Sequence, residues 1–354
     1  MRNPSLIFYC CLLLVVLLSN CQAEAPIDQA NNNLPVFLGK KRTTLTNVTA
    51  YARPHEEPLA QLPPGTQLLF TGLVSSRLYT SYYQQDTLTQ PYLQIQLSPQ
   101  QTAWVFGHPA YFSVQENPLT WQWNNRLQAV MPTEAFNRYQ ELATVWRQED
   151  QASVLLLAFQ ATRSLRNELT KALADYPTLS LTEAQDLLPG CLAYQDHRHL
   201  SWWIDFNAWQ TRSAATAAPD DDALFHFYRT RIYPPDGIEY RFPAWSFPVS
   251  STQAHSLLGR GIHLRILQQL DSLNQQYPLA TTEWQYLCEL LVDDSANPQT
   301  TFWEDFPLIR TELQALIKFP GTLLLPEQRR YLAHCLENLA NPAQQSKRVN
   351  FRER

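Results

Sequence analysis

Five groups of residues carry side chains able to do chemistry at short spacing. Asp196-His197-Arg198-His199, followed by Asp205, comes nearest to a metal site. On a strand, His197 and His199 would face one side and suit bidentate ligation, but no third ligand follows at a diagnostic spacing. Asp220-Asp221-Asp222 lacks the interleaved spacing and the glycine of a calcium loop; it reads as a solvated helix N-terminus favoured by the helix dipole. His255 and His263 flank Gly259-Arg260-Gly261 in a run of helical periodicity. Either imidazole could act as a general base, yet no G-x-S-x-G accompanies them. Cys191 follows Gly190 and precedes His197 and His199, the ingredients of Cys–His nucleophilic chemistry, with nothing nearby to mark the thiol as activated. Asp236 and Glu239 are candidates for a carboxylate pair that hydrolyses glycans, at a separation the sequence leaves open. None of the five completes a catalytic constellation, so no catalytic residue, metal ligand or cofactor is assigned.

Aromatic residues make the stronger pattern. Tyr79, Tyr82, Tyr83 and Tyr92 crowd one hairpin region. Trp202 and Trp203 lie in CLAYQDHRHLSWWIDFNAWQ (191–210), and Trp245 in IYPPDGIEYRFPAWSFPV (232–249). Amphipathic rings of this kind bind extended peptides or sugars at small entropic cost, and they also fill irregular cores; both uses remain open at this point.

Elements must position these rings, and the composition provides for them. The 354 residues are 45% hydrophobic and 12% aromatic, enough for real cores, and the length points to two domains. Nine Gly against 25 Pro, with no G-x-x-x-x-G-K-S/T or G-x-G-x-x-G, argues against phosphate-cradling loops. A net charge of -5 without a dense basic stripe argues against a nucleic-acid partner. Leu6 to Leu18 is an uncharged apolar run, too short for a bilayer core of about 30 Å. It reads as the apolar segment of an export signal over 1–21, with a flexible polar tether over 22–42. From 43 to 113, short alternating runs broken by Pro and Gly are strand grammar. From 118 to 342 the 3.6-residue period prevails, with a helix capped by Thr133 and periodic through Trp146, and further helices expected over 151–174, 182–188, 221–231, 251–276, 281–292, 303–319 and 326–339. Pro118 to Pro132, with Trp121 and Trp123, reads as a connection between the two, and 343–354 as a loose basic tail. Cys288 and Cys335 could pair in an oxidising compartment or stand as separate buried thiols.

Two resemblances sharpen this reading. Leu18-Ser19-Asn20-Cys21 resembles a bacterial lipobox, which implies acylation of Cys21; ordinary signal cleavage at Cys21-Gln22-Ala23 or Ala23-Glu24-Ala25 is the rival. Arg53-Pro54, the turn Leu62-Pro63-Pro64-Gly65-Thr66 and the strand Ala103-Trp104-Val105 together resemble the bacterial SH3-like (SH3b) family. That resemblance implies a small β-barrel, with Trp104 filling its centre, and recognition of peptides or peptidoglycan through an aromatic groove that Tyr79, Tyr82, Tyr83 and Tyr92 would line. The expected molecule is an SH3-like all-β barrel followed by a mainly α-helical domain. It would be exported to the cell envelope and touch the membrane only through a lipid anchor. Its expected role is non-enzymatic binding of peptidoglycan or of an envelope protein or peptide. A cell-wall hydrolase targeted by the barrel and a structural scaffold of an envelope complex are the alternatives.

Overall fold

A computed structural model describes residues 40–353, apart from 84, 85, 114–116, 149, 177–180, 186, 197, 198, 235, 240, 241, 251 and 252. The export segment, most of the tether and Cys21 lie outside the described residues. The chain forms two compact units, the first running to Phe136 and the second from Asn137 to Arg354.

The first unit is an antiparallel sheet. Its strands are β1 (Lys41–Thr43), β2 (Val48–Tyr51), β3 (Pro58–Leu62), β4 (Gln67–Val74), β7 (Tyr92–Ser98) and β8 (Gln101–Phe106), in the order β1-β4-β7-β8-β2-β3. A separate hairpin, β5 (Tyr79–Tyr83) and β6 (Asp86–Gln90), projects between β4 and β7. Strand periodicity sorts the side chains. Val48, Ala50, Leu68, Phe70, Leu93, Ile95, Ala103 and Val105 are buried, and Ala50–Val105, Leu93–Val105, Phe70–Ile95 and Ile95–Ala103 are cross-strand partners. The turn into β4 follows its chemistry: Thr66 N–H donates to the Pro63 carbonyl, and Gly65 adopts φ 83°, which glycine tolerates. Past β8, α1 (Pro118–Val130) is capped by Asn117, whose carbonyl accepts from the Leu119 and Thr120 N–H groups. It belongs to the sheet unit and is not a connection. Arg126 Nε donates to the Thr89 carbonyl at 2.9 Å, Gln128 Nε2 to the Gly72 carbonyl at 3.1 Å, and Trp121 packs on Phe112.

Trp104 departs from the expectation. Adjacent strand residues point to opposite faces, so Trp104 and Val105 cannot share one interior. Val105 faces Ala50 and Leu93, while Trp104 joins Tyr92 and Phe106 in a cluster on the other face.

The second unit is mostly helical: α2 (Thr133–Gln148), α3 (Ala152–Leu173), α4 (Leu181–Ala184), α5 (Phe206–Ser213), α6 (Pro219–Phe227), α7 (Ile262–Gln276), α8 (Thr281–Ala296), α9 (Phe306–Ile317), α10 (Pro326–Leu339) and α11 (Pro342–Arg348). The start of α2 lies in the first unit. Two hairpins interrupt them, β9 (Cys191–Asp196) with β10 (His199–Ile204), and β11 (Ser246–Pro248) with β12 (Ala254–Ser256). The first takes up much of the aromatic stretch 191–210. The second shortens an expected helix, since 254–256 are strand and α7 starts only at Ile262. Gly259 at φ 106° and Gly261 at φ 71° take conformations no right-handed helix contains. The expected loose tail is ordered as well: α11 is followed by a 3₁₀ turn, Phe351–Glu353. Arg348 is buried and donates to the Thr300 and Asn297 carbonyls at 2.8 and 2.7 Å.

Candidate functional site

The best-formed candidate is the aromatic face of the sheet unit. Tyr92 opens β7, Phe106 ends β8 directly opposite it, and Tyr51 ends β2 opposite Trp104. The order β7-β8-β2 therefore stacks them side by side. Tyr79, at the root of the β5–β6 hairpin, meets Tyr92 edge to face at 5.0 Å; Tyr51 meets it at 5.5 Å and Phe106 at 5.6 Å. Leu73, Leu88 and Tyr111 pack against the same cluster. Tyr92, Trp104 and Phe106 form a buried floor, and Tyr51, Tyr79 and Tyr111 a half-buried rim. Arg77 reaches over the rim from one side: its Nε donates to the Tyr79 hydroxyl at 3.0 Å, and its guanidinium sits 4.9 Å from that ring.

Tyr92 is the electrostatic centre of this face. Burial pushes its phenol well above the ordinary tyrosine range, and the neighbouring Tyr51, Tyr79 and Tyr111 hydroxyls push it further. The His55 backbone acts weakly in the opposite sense. His55 stands at φ 61°, an uncommon conformation outside glycine, and its ring lies 5.8 Å from Tyr79. The loop between β2 and β3 is thus folded back onto the aromatic face. Apolar ring faces ringed by hydroxyls, an imidazole and one guanidinium can grip a ligand with apolar stretches and many hydrogen-bonding groups.

Of the four tyrosines singled out by sequence, the structure brings Tyr79 and Tyr92 together. Tyr82 stands apart on the hairpin, 80% exposed, and Tyr83 pairs through its backbone with Asp86. Tyr51, Tyr111 and His55 escaped sequence reasoning. Only the strand order and the 3₁₀ turn Pro109–Tyr111 bring them in, although Val48-Thr49-Ala50-Tyr51 does alternate so as to put Tyr51 opposite Ala50.

The tryptophans singled out in the second unit are held by different elements. Trp202 is buried on β10 and its indole N–H has no partner among the described residues; Trp203, on the opposite face, is half-buried. Trp245 is buried, its ring 6.3 Å from the His263 ring.

The chemical candidates are tied into the framework. Asp205 caps α5, accepting from Asn207 N–H at 2.9 Å, and His197 lies outside the described residues. His199 opens β10 by its backbone. The Asp220–Asp222 run does form the first turn of α6, but it is not solvated. Asp220 accepts from Leu279 N–H, Asp221 from Thr216 Oγ1, and both are buried. Burial raises the Asp221 carboxyl above its ordinary range. Glu239 forms an ion pair with Arg166, and the Asp236 carbonyl accepts from Asn207. His255 lies 2.7 Å from Thr301 Oγ1 and stacks on Phe351; burial lowers its pKa. His263 is fully buried, with Nε2 2.8 Å from Asp294 Oδ2, the oxygen that also receives the Ser256 hydroxyl at 2.5 Å. In a nucleophilic triad the serine would bond to the imidazole; here both converge on the carboxylate instead. Cys191, Cys288 and Cys335 are free, buried thiols, so Cys288 and Cys335 do not pair. Burial pushes the Cys191 thiol up to about 12, away from nucleophilic use. Among the described residues, no group of three His, Cys, Asp or Glu is placed to hold a metal ion.

Comparison with protein-family models, with curated proteins and with solved structures finds no match for this chain.

Proposed function

We propose that the sheet unit is an SH3-like recognition module whose aromatic face binds peptidoglycan or an extended envelope peptide. In this reading the chain is exported and held at the membrane by acylation of Cys21, and it acts as a binder. The observation that carries it is the half-buried rim of Tyr51, Tyr79 and Tyr111 around a buried Tyr92. Rings placed only to fill a core would be covered, whereas these three stay half-buried beside the buried Tyr92. The Pro63-Pro64-Gly65 turn into β4 further supports the SH3-like assignment, whereas the hairpin before β7 is longer than that family's usual one.

Co-sedimentation of the full chain with purified sacculi tests this reading. A double variant, Tyr51→Ala with Tyr79→Ala, should weaken binding tenfold or more, since central aromatic anchors contribute about 2 kcal/mol each. Equal binding by the double variant would refute the assignment. Release of soluble fragments from the sacculi would replace a binder with a hydrolase. For the anchor, Cys21→Ala should abolish incorporation of radiolabelled palmitate, and unchanged labelling would contradict it.

A further inference from the structure

The second unit contains a cleft of about 600 Å³ that none of the foregoing uses. One face of α6 forms a wall: Pro219, Asp222, Ala223, His226 and Phe227 recur at helical spacing, while Leu224, Phe225 and Tyr228 face the core. Gln210 of α5 and Leu273 and Tyr277 at the end of α7 complete it. The volume falls within the range of small-molecule sites.

The polar groups of this cleft are short of donors. Asp222 accepts the Ser213 hydroxyl through Oδ1 at 2.5 Å, and no donor among the described residues reaches its other oxygen. Gln210 turns its amide nitrogen to His226 Nδ1 at 3.4 Å, leaving its carbonyl oxygen buried without a partner. A buried acceptor left unanswered destabilises the site, so a ligand that brings N–H groups recovers that loss. No lysine or arginine lines the cleft, and Asp222 is its carboxylate. Phe227, Leu273, Ala214, Ala223 and Pro219 give the cleft apolar lining, and Tyr277 and His226 add rings. A carboxylate, an unfilled carbonyl, aromatic rings and apolar side chains lining one cleft complement a compact cation on a hydrocarbon stem.

We propose that this cleft binds a small primary alkylammonium ligand, its ammonium on Asp222 and Gln210 and its stem along Phe227 and Leu273. The proposal concerns the second unit alone and is independent of the reading of the aromatic face.

Calorimetric titration of the full chain with n-hexylammonium and with n-hexanol separates charge recognition from simple burial of the stem. The amine should bind at least tenfold more tightly than the alcohol. Asp222→Asn should remove that preference, whereas Ser213→Ala, which deletes the same internal hydrogen bond but keeps the carboxylate, should retain it. Absence of amine binding at millimolar concentration, equal affinity for amine and alcohol, or an unchanged preference in Asp222→Asn would each overturn it. The comparison of amine with alcohol on the unsubstituted chain decides the matter even where a variant is unstable.

Discussion

Burial of individual side chains in this protein has consequences that can be measured. The three free thiols are an example. Cys191 and Cys288 are each pushed up to about 12, and Cys335 is also raised, in every case chiefly by burial. A raised thiol pKa stabilises the folded state below the unfolded value of 9.0 and ceases to do so as pH rises towards the folded one. Buried Tyr139, raised to about 12, acts in the same sense and in the same alkaline range. Unfolding free energy should therefore fall between about pH 9 and pH 12, and Ellman's reagent at pH 8 should label these three thiols only when denaturant is added. Rapid labelling of native Cys191 would contradict the burial assigned to it. At this scale the sequence was legible in part. The candidate residues were visible, but their partners were not, because Arg163 and Glu283, paired at 2.6 Å, are 120 residues apart with no local signal joining them.

At the level of elements, the local code was read well where periodicity was unbroken and poorly where a tertiary contact intervened. Helix α10 was expected over the residues it occupies, and α3 within a residue of its ends. Residues 251–276 show the opposite. Their apolar spacing continues through Gly259-Arg260-Gly261, but a carboxylate from a distant helix organises that loop. Glu312 of α9 accepts from the Gly259, Gly261 and Leu264 N–H groups at 2.6, 2.8 and 3.0 Å. It thereby answers the free donors that begin α7. Such an anion-binding turn filled by the chain's own side chain is invisible to windowed periodicity. Glu312→Gln should destabilise the second unit by about 2–3 kcal/mol in urea unfolding with an unchanged m-value, because it replaces a charge-assisted acceptor with a poorer one. A change under 0.5 kcal/mol would show that the loop holds itself. Trp104 teaches the complementary lesson: it was expected at the centre of a barrel, yet strand alternation puts it on the face opposite Val105.

For the molecule as a whole, the order of its parts was legible: strands first, helices after, in two compact units. The division falls at Phe136 rather than before Pro118, because Arg126 and Gln128 hydrogen-bond α1 to the sheet unit. The aromatic excess proved to be two different things. In the second unit it is largely core, with Phe159, Phe206, Trp209, Phe225 and Tyr228 in mutual contact. In the sheet unit it forms a face that is only half covered, and the proposed function rests there. The most direct test is NMR titration of the full chain, carrying ¹³C-labelled tyrosine, with soluble peptidoglycan fragments. Ring signals of Tyr51, Tyr79, Tyr92 and Tyr111 should shift together with one saturation curve, while exposed Tyr82 stays in place. Unmoved signals from those four rings, with binding detected elsewhere or nowhere, would contradict the assignment of this face.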